Sequence, residues 1–243
     1  MARAGRPSVA RRLVPVLSVA TVGVLTAAVV DRWSRRWRAT DDERRMELPG
    51  DELLPGPDGQ TTRATTIDAP PEAVWPWLVQ IGADRGGFYS YDALENLVGL
   101  GIHSADAIAP DWQERAVGDL VLANRAGTGG WSVGALVPER ALVLQLADMR
   151  TGRPVSLDEG ATWEFLWSFV LEPLPADRTR LLVRERVRFG PPAMRLAMAP
   201  VGLVSLVMTA RMLRGIADRS ECRWHAHHGA TIRVPHPDPT YSS

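Results

Sequence analysis

The residues best equipped for chemistry lie close together in Arg85-Gly86-Gly87-Phe88-Tyr89-Ser90-Tyr91-Asp92-Ala93-Leu94-Glu95-Asn96. On a helix starting at Tyr91, Asp92 and Glu95 are three apart and share a face, as do Asp92 and Asn96. With Tyr89 and Tyr91, such a cluster can orient the polar head of a ligand or exchange protons with it. Its plainer role is a helix cap from Ser90 or Asp92. Arg85 offers a planar fork to an anionic group, or to a nearby carboxylate of the chain itself. The pair Gly86-Gly87 suggests a gate that moves. Two further residues could carry catalysis. His103 stands three residues before Asp106, and a His–carboxylate pair is what a general base requires. Glu185 alternates with Leu181, Val183, Val187 and Phe189, so it falls on the dry side of a strand. There it would act as an acid or a ligand anchor with a raised pKa; the plainer readings are an internal ion pair with an Arg or a position at the strand's wet end.

Composition narrows the function classes. The 243 residues carry 28 basic and 28 acidic side chains, so no bulk charge favours nucleic acid. The single cysteine, Cys222, excludes an intrachain disulfide framework. Cys222, His225, His227, His228 and His236 have the close, irregular spacing of a chain end, so no metal site is expected. No P-loop, dinucleotide fingerprint or nucleophile elbow is present, and no cofactor is expected. Trp, at nine residues against three Tyr and four Phe, dominates the aromatics and suits wide apolar pockets and membrane interfaces.

The elements that must position these residues follow from patterning. Residues 1–12 are a basic tail, and Leu13–Val30 is an apolar stretch long enough for a single transmembrane helix, followed by Trp33 and Trp37 among arginines. A cleaved signal peptide is the competing reading. Arginines balance on the two sides, so orientation stays open. Residues 31–60 read as a juxtamembrane segment and linker, rich in Pro and Gly. The folded domain is expected over 61–221, with 222–243 a tail. It starts with a Thr-rich strand, Thr61–Asp68, then a helix opened by Pro70-Pro71-Glu72 and a short helix around Tyr91–Val98. Strand-length runs follow at Val117–Ala123, Gly130–Leu136, Ala141–Ala147, Thr162–Leu171 and Arg178–Phe189. Trp163, Phe165, Trp167, Phe169 and Leu171 share one face, and Leu182, Arg184, Arg186 and Arg188 lie opposite Glu185. This predicts an antiparallel sheet with one wet and one dry side. Ala193–Glu221 is a final helix, apolar nearly all round over roughly 15 residues and so expected in the core, with a kink at Pro200 and Gly202.

Ala69-Pro70-Pro71-Glu72-Ala73-Val74-Trp75-Pro76-Trp77-Leu78-Val79-Gln80-Ile81-Gly82 resembles the first-helix signature of a bacterial subgroup, of unassigned activity, of the START-like helix-grip (SRPBCC) superfamily. Gly86–Asn96 is similar to its continuation, and Met212-Leu213-Arg214-Gly215-Ile216 to its C-terminal helix. The resemblance covers roughly Thr61–Glu221. It implies an α+β fold in which a curved antiparallel sheet grips a long C-terminal helix around an apolar cavity. It implies no activity, since the superfamily holds lipid and hormone carriers, polyketide cyclases, dioxygenase subunits and coenzyme-Q binding proteins.

The resulting expectation is a membrane-anchored binding or carrier protein for an apolar or amphipathic small molecule such as a lipid, isoprenoid or polyketide. The alternatives are a cyclase, aromatase or dehydratase acting on a polyketide-like substrate, and a structural or regulatory membrane protein with a filled cavity. Expected ligand-binding residues are Arg85, Tyr89, Tyr91, Asp92, Glu95, Asn96, Trp131, Trp163, Trp167 and Glu185.

Overall fold

Two-residue periodicity builds most of this protein. The computed structural model describes residues 39–97 and 99–228. Its six strands are β1 (Gly59–Ile67), β2 (Leu120–Leu122), β3 (Gly130–Val137), β4 (Ala141–Leu146), β5 (Trp163–Leu174) and β6 (Arg178–Phe189). They form one antiparallel sheet in the order β1-β6-β5-β4-β3-β2. The helices are α1 (Asp41–Arg45), α2 (Pro71–Val79), α3 (Asp92–Leu97) and α4 (Pro192–His228). The expected α+β class, with an antiparallel sheet and a long C-terminal helix, holds.

Register decides which residues meet. Trp167 stands opposite Glu185, and Glu185 opposite Thr61. Leu144 stands opposite Trp167, and Leu146 opposite Trp131. Residues paired in an antiparallel ladder project to the same side. One face of the sheet therefore gathers Thr61, Arg63, Val183, Glu185, Trp167, Phe169, Leu144 and Trp131, and α4 packs toward it. α2 is opened by Pro71 at its N-terminus. Its C-terminal carbonyls accept from Arg115, whose Nε donates to Val79 at 2.7 Å and whose Nη2 donates to Ile81 at 2.9 Å.

Four expectations need correction. The opposite face of the sheet is not a wet one. Arg184 is 1% exposed and Arg186 9%. What covers them is residues 39–58, which had the composition of a linker. Ala39 and Leu48 pack with Ala64, Ala141, Val170 and Leu182, and Leu54 packs with Val143 and Leu166. Arg184 holds this strap in place. Its Nε donates to Thr62 Oγ1 at 2.9 Å, and its two terminal nitrogens donate to the carbonyls of Glu43, Arg44 and Met46 and to Asp51 Oδ2 at 2.5 Å. Five N–H groups meet five acceptors, so the guanidinium is fully satisfied on leaving water. Arg186 adds an ion pair to Asp51 at 2.8 Å, and Arg180 grips Glu43 with two nitrogens at 2.8 and 3.0 Å.

The other corrections concern α4. It runs on through His228, so the expected tail is helical at its start, with His228 stacked on Trp224. It is also not buried all round. Ala210, Met212, Leu213 and Ile216 are buried, but Leu196 is 79% and Val204 59% exposed. Among the described residues no helix is long and apolar enough to cross a membrane. The expected span Leu13–Val30, and His236 of the tail, lie outside the described residues.

The strap should loosen in acid. The Arg180 hydrogen bond is the largest cause holding the Glu43 carboxyl below its ordinary value of 4.5. A carboxyl lowered in the folded state contributes stability that is fully present above 4.5 and lost as pH falls through the folded value. At neutral pH, Glu43→Gln should therefore cost at most about 1 kcal/mol, since the pair is partly open to solvent. Denaturant titrations should show that difference closing as pH drops below 4.5.

Candidate functional site

Between the sheet and the N-terminal half of α4 lies a cavity of about 630 Å³. The sheet supplies Trp131, Trp163, Phe165, Trp167, Val187 and Phe189, and α4 supplies Met198, Gly202, Ser205, Met208, Thr209 and Met212. The helix residues fall at steps of three and four, one stripe of a helix face. The aromatic wall is continuous. Trp131 and Trp167 have ring centroids 5.5 Å apart, Phe88 meets Trp131 edge-on at 5.8 Å, and Trp167 lies 4.9 Å from Phe169. Such rings give a large apolar surface with few rotamers to freeze.

A charged cluster interrupts this lining, which Gln60 and Ser90 also border. Glu185, 9% exposed, accepts from Ser205 Oγ at 2.9 Å and Thr209 Oγ1 at 2.8 Å through Oε1. Its Oε2 accepts from Thr61 Oγ1 at 3.2 Å and pairs with Arg63 Nη1 at 3.3 Å. Three hydroxyls donate to the carboxylate and the Arg63 guanidinium pairs with it. Of the readings its sequence position allows, Glu185 is the internal ion pair. It ties β6 to β1 and to α4.

The Gly86–Asn96 stretch divides differently from its expected role. The residues that reach the cavity are Phe88 and Ser90. Tyr89 is buried and bound from several sides. Its hydroxyl donates to the Trp77 carbonyl at 3.0 Å, its ring meets Trp77 edge-on at 5.8 Å, and Arg219 covers the ring at 5.2 Å. Burial pushes its phenol well above the ordinary value. Tyr89 also has a left-handed φ of 57°, which costs about 1 kcal/mol for a non-glycine residue. It packs in the core and does not line the cavity. Asp92 accepts from Ser104 N at 2.7 Å and Ser104 Oγ at 2.6 Å. Asn96 both donates to and accepts from the Ile102 backbone, at 2.8 and 2.7 Å. These two residues fix the loop that brings Leu100 and Ile102 to the cavity wall. Tyr91 lies under Arg211 at 6.0 Å, and of Glu95 only the backbone is described.

Arg85 donates to the carbonyls of Trp112 and Glu114 and does not line the cavity. The expected His103–Asp106 pair is not made. Asp106 is engaged by Arg219 at 2.7 Å, and His103 is exposed away from the cavity. The expected gate at Gly86-Gly87 is tied down by backbone hydrogen bonds. Gly86 N donates to Gln80 O and Gly86 O accepts from Ala105 N, while Gly87 exchanges two backbone hydrogen bonds with Gly82. A Cβ at Gly87 would stand 2.7 Å from the His103 carbonyl. Those glycines allow close packing.

Of the residues expected from the sequence to bind a ligand, Trp131, Trp163, Trp167 and Glu185 line the cavity. Sequence reading missed Arg63, Thr61, Ser205 and Thr209. Two signals were present: Thr61 and Arg63 alternate on the same side of β1, and Ser205 and Thr209 sit one helical turn apart on a face that also carries Met198, Met208 and Met212.

No family model matches the chain, and no curated protein is similar to it. Several solved structures are loosely similar. One is a protein from Arthrobacter aurescens, 19% identical over 66% of this chain and 85% of that one, with a TM-score of 0.39. Another is a protein from Chromobacterium violaceum, 15% identical over 67% and 96%, with a TM-score of 0.40. A third is a polyketide-cyclase-like protein from Corynebacterium glutamicum, 14% identical over 72% and 97%, with a TM-score of 0.33. Superpositions this loose assign no activity.

Two substitutions test the ion-pair hub. Glu185→Gln leaves Arg63 charged and unpaired in a buried site and should cost about 3 kcal/mol in denaturant unfolding. Replacing both partners with Met removes the stranded charge, so Arg63→Met/Glu185→Met should recover most of that loss. A double variant as unstable as the single one would mean that the hydroxyl contacts, not the charges, carry the cluster.

Proposed function

We propose that this protein binds an apolar or amphipathic small molecule between its sheet and α4, and that it belongs to the START-like helix-grip superfamily. The observation that supports the binding role is the cavity itself. Its volume of about 630 Å³ lies within the range of ligand pockets, and aromatic and methionine side chains dominate its lining. A protein whose core is merely filled by side chains does not keep such a space, because native interiors pack nearly as densely as organic crystals.

Binding is favoured over catalysis by the state of the polar groups. Arg63 and Glu185 are the charged side chains that face the cavity; Glu185 is engaged by Arg63 and three hydroxyls, and a guanidinium can donate hydrogen bonds but does not give up its proton. A general acid–base mechanism needs a group free to give or take a proton within reach of the ligand. In the same reading Leu13–Val30 tethers the domain to a membrane, which places it near a source of apolar ligands. This part rests on the sequence alone, and cell fractionation tests it.

Mass spectrometry of solvent extracts from the full chain, purified from its native host, should find a small apolar or amphipathic molecule in near-stoichiometric amount. Gly202 allows a matched control. It lines the cavity on α4, and a Cβ there would meet nothing within 4 Å. Gly202→Phe should therefore fill the space without straining the helix. The variant should lose at least about tenfold of the co-purifying molecule. Its stability should hold or rise, because glycine is a poor helix residue. Retention of the molecule by the filled variant would count against the cavity as its site.

A further inference from the structure

We infer that the cavity selects neutral apolar ligands carrying an acceptor oxygen, such as a ketone, ester or amide carbonyl, and that Arg63 recognises that oxygen. This rests on the reading of the cavity as a ligand site. Arg63 is 8% exposed and lines the cavity. It uses Nη1 for Thr61 Oγ1 at 3.4 Å and for Glu185 Oε2 at 3.3 Å. Among the described residues its Nε and Nη2 find no acceptor. Arg63 thus brings one edge of its guanidinium fork, without a protein acceptor, to the border of a space walled chiefly by Trp131, Trp163, Phe165, Trp167 and methionines.

The charges decide what that edge accepts. Glu185 already neutralises Arg63, and it also accepts from Thr61, Ser205 and Thr209. Arg186 also borders the cavity, but its guanidinium lies on the other face of the sheet against Asp51. The side-chain charge facing the cavity is thus balanced. A carboxylate ligand would meet the Arg63 fork, but it would bring an unbalanced negative charge beside Glu185 into an apolar space, where water screens little. A pure hydrocarbon brings no charge, but it strips water from the open N–H groups and gives nothing back. A carbonyl oxygen satisfies the fork and adds no charge. A ligand that offers only donors leaves the Arg63 N–H groups without an acceptor.

Isothermal titration calorimetry of the purified full chain with three probes of one shape tests this: acetylnaphthalene, ethylnaphthalene and naphthoate at neutral pH. Acetylnaphthalene should bind about tenfold tighter than either of the others. In Glu185→Gln the Arg63 charge is no longer balanced, and the order of acetylnaphthalene and naphthoate should invert. A residue that only held the fold together would weaken all three alike. Equal binding of the acetyl and ethyl probes would overturn recognition of the oxygen. Naphthoate at or above acetylnaphthalene in the unsubstituted chain would overturn the selection for neutral ligands. In both cases the cavity would remain a ligand site. No heat from any probe would instead overturn the ligand-cavity reading and this inference with it. The comparison in the unsubstituted chain decides the matter whether or not Glu185→Gln folds.

Discussion

Two consecutive residues of β6, Arg184 and Glu185, carry opposite charges to opposite faces of the sheet, and each is buried. A strand has no choice in this, because neighbouring side chains must alternate. The energetic constraint is equally strict. A charge removed from water is tolerated only where its partners replace the lost hydration. Arg184 meets this by collecting five acceptors, four of them on the strap of residues 43–51 and its neighbours. Glu185 meets it with donors from β1 and α4. The strap, the edge strand and the cavity-roofing helix are therefore all held to one short piece of β6.

The division of labour across the sheet follows from that arrangement. On the strap side, small apolar residues close up: Ala39, Ala64 and Ala141 leave no room for a ligand. On the α4 side, large rings stand off from the helix, and the ion pair braces the gap between helix and sheet. Farther along α4 the helix comes into direct contact with the chain. A Cβ at Gly215 would lie 2.2 Å from the Tyr89 carbonyl oxygen, so only glycine allows the approach. The helix is thus pinned at Gly215 and propped at Ser205 and Thr209, with the cavity opening toward its N-terminal end.

Much of this was legible in the sequence, because alternation is a local property. β6 occupies the residues its pattern indicated, and Glu185 stood out as a charge among oily neighbours. Its partner was not legible. Arg63 lies over a hundred residues away, and only strand register brings Thr61 opposite Glu185. The strap was misread for the same reason. Pro49-Gly50 and Pro55-Gly56-Pro57 have the composition of a linker, and what fastens the strap is Arg184 donating to residues 43–51 together with the packing of Leu48 and Leu54. The polar run around Tyr89 and Asp92 was read as a ligand contact because its residue types suit one. Its bonds go inward, to Trp77, Ile102 and Ser104, and position the wall that Phe88 and Ile102 complete.

The central claim is that the space between sheet and α4 holds a ligand against Arg63. A crystal structure of the full chain, purified from its native host with no ligand added, tests it directly. The account predicts continuous non-protein density along the aromatic wall, with an oxygen within hydrogen-bond distance of Arg63 Nε or Nη2. A cavity closed by inward movement of Met198, Phe165 and Trp163, with Arg63 turned to a protein acceptor, would contradict it.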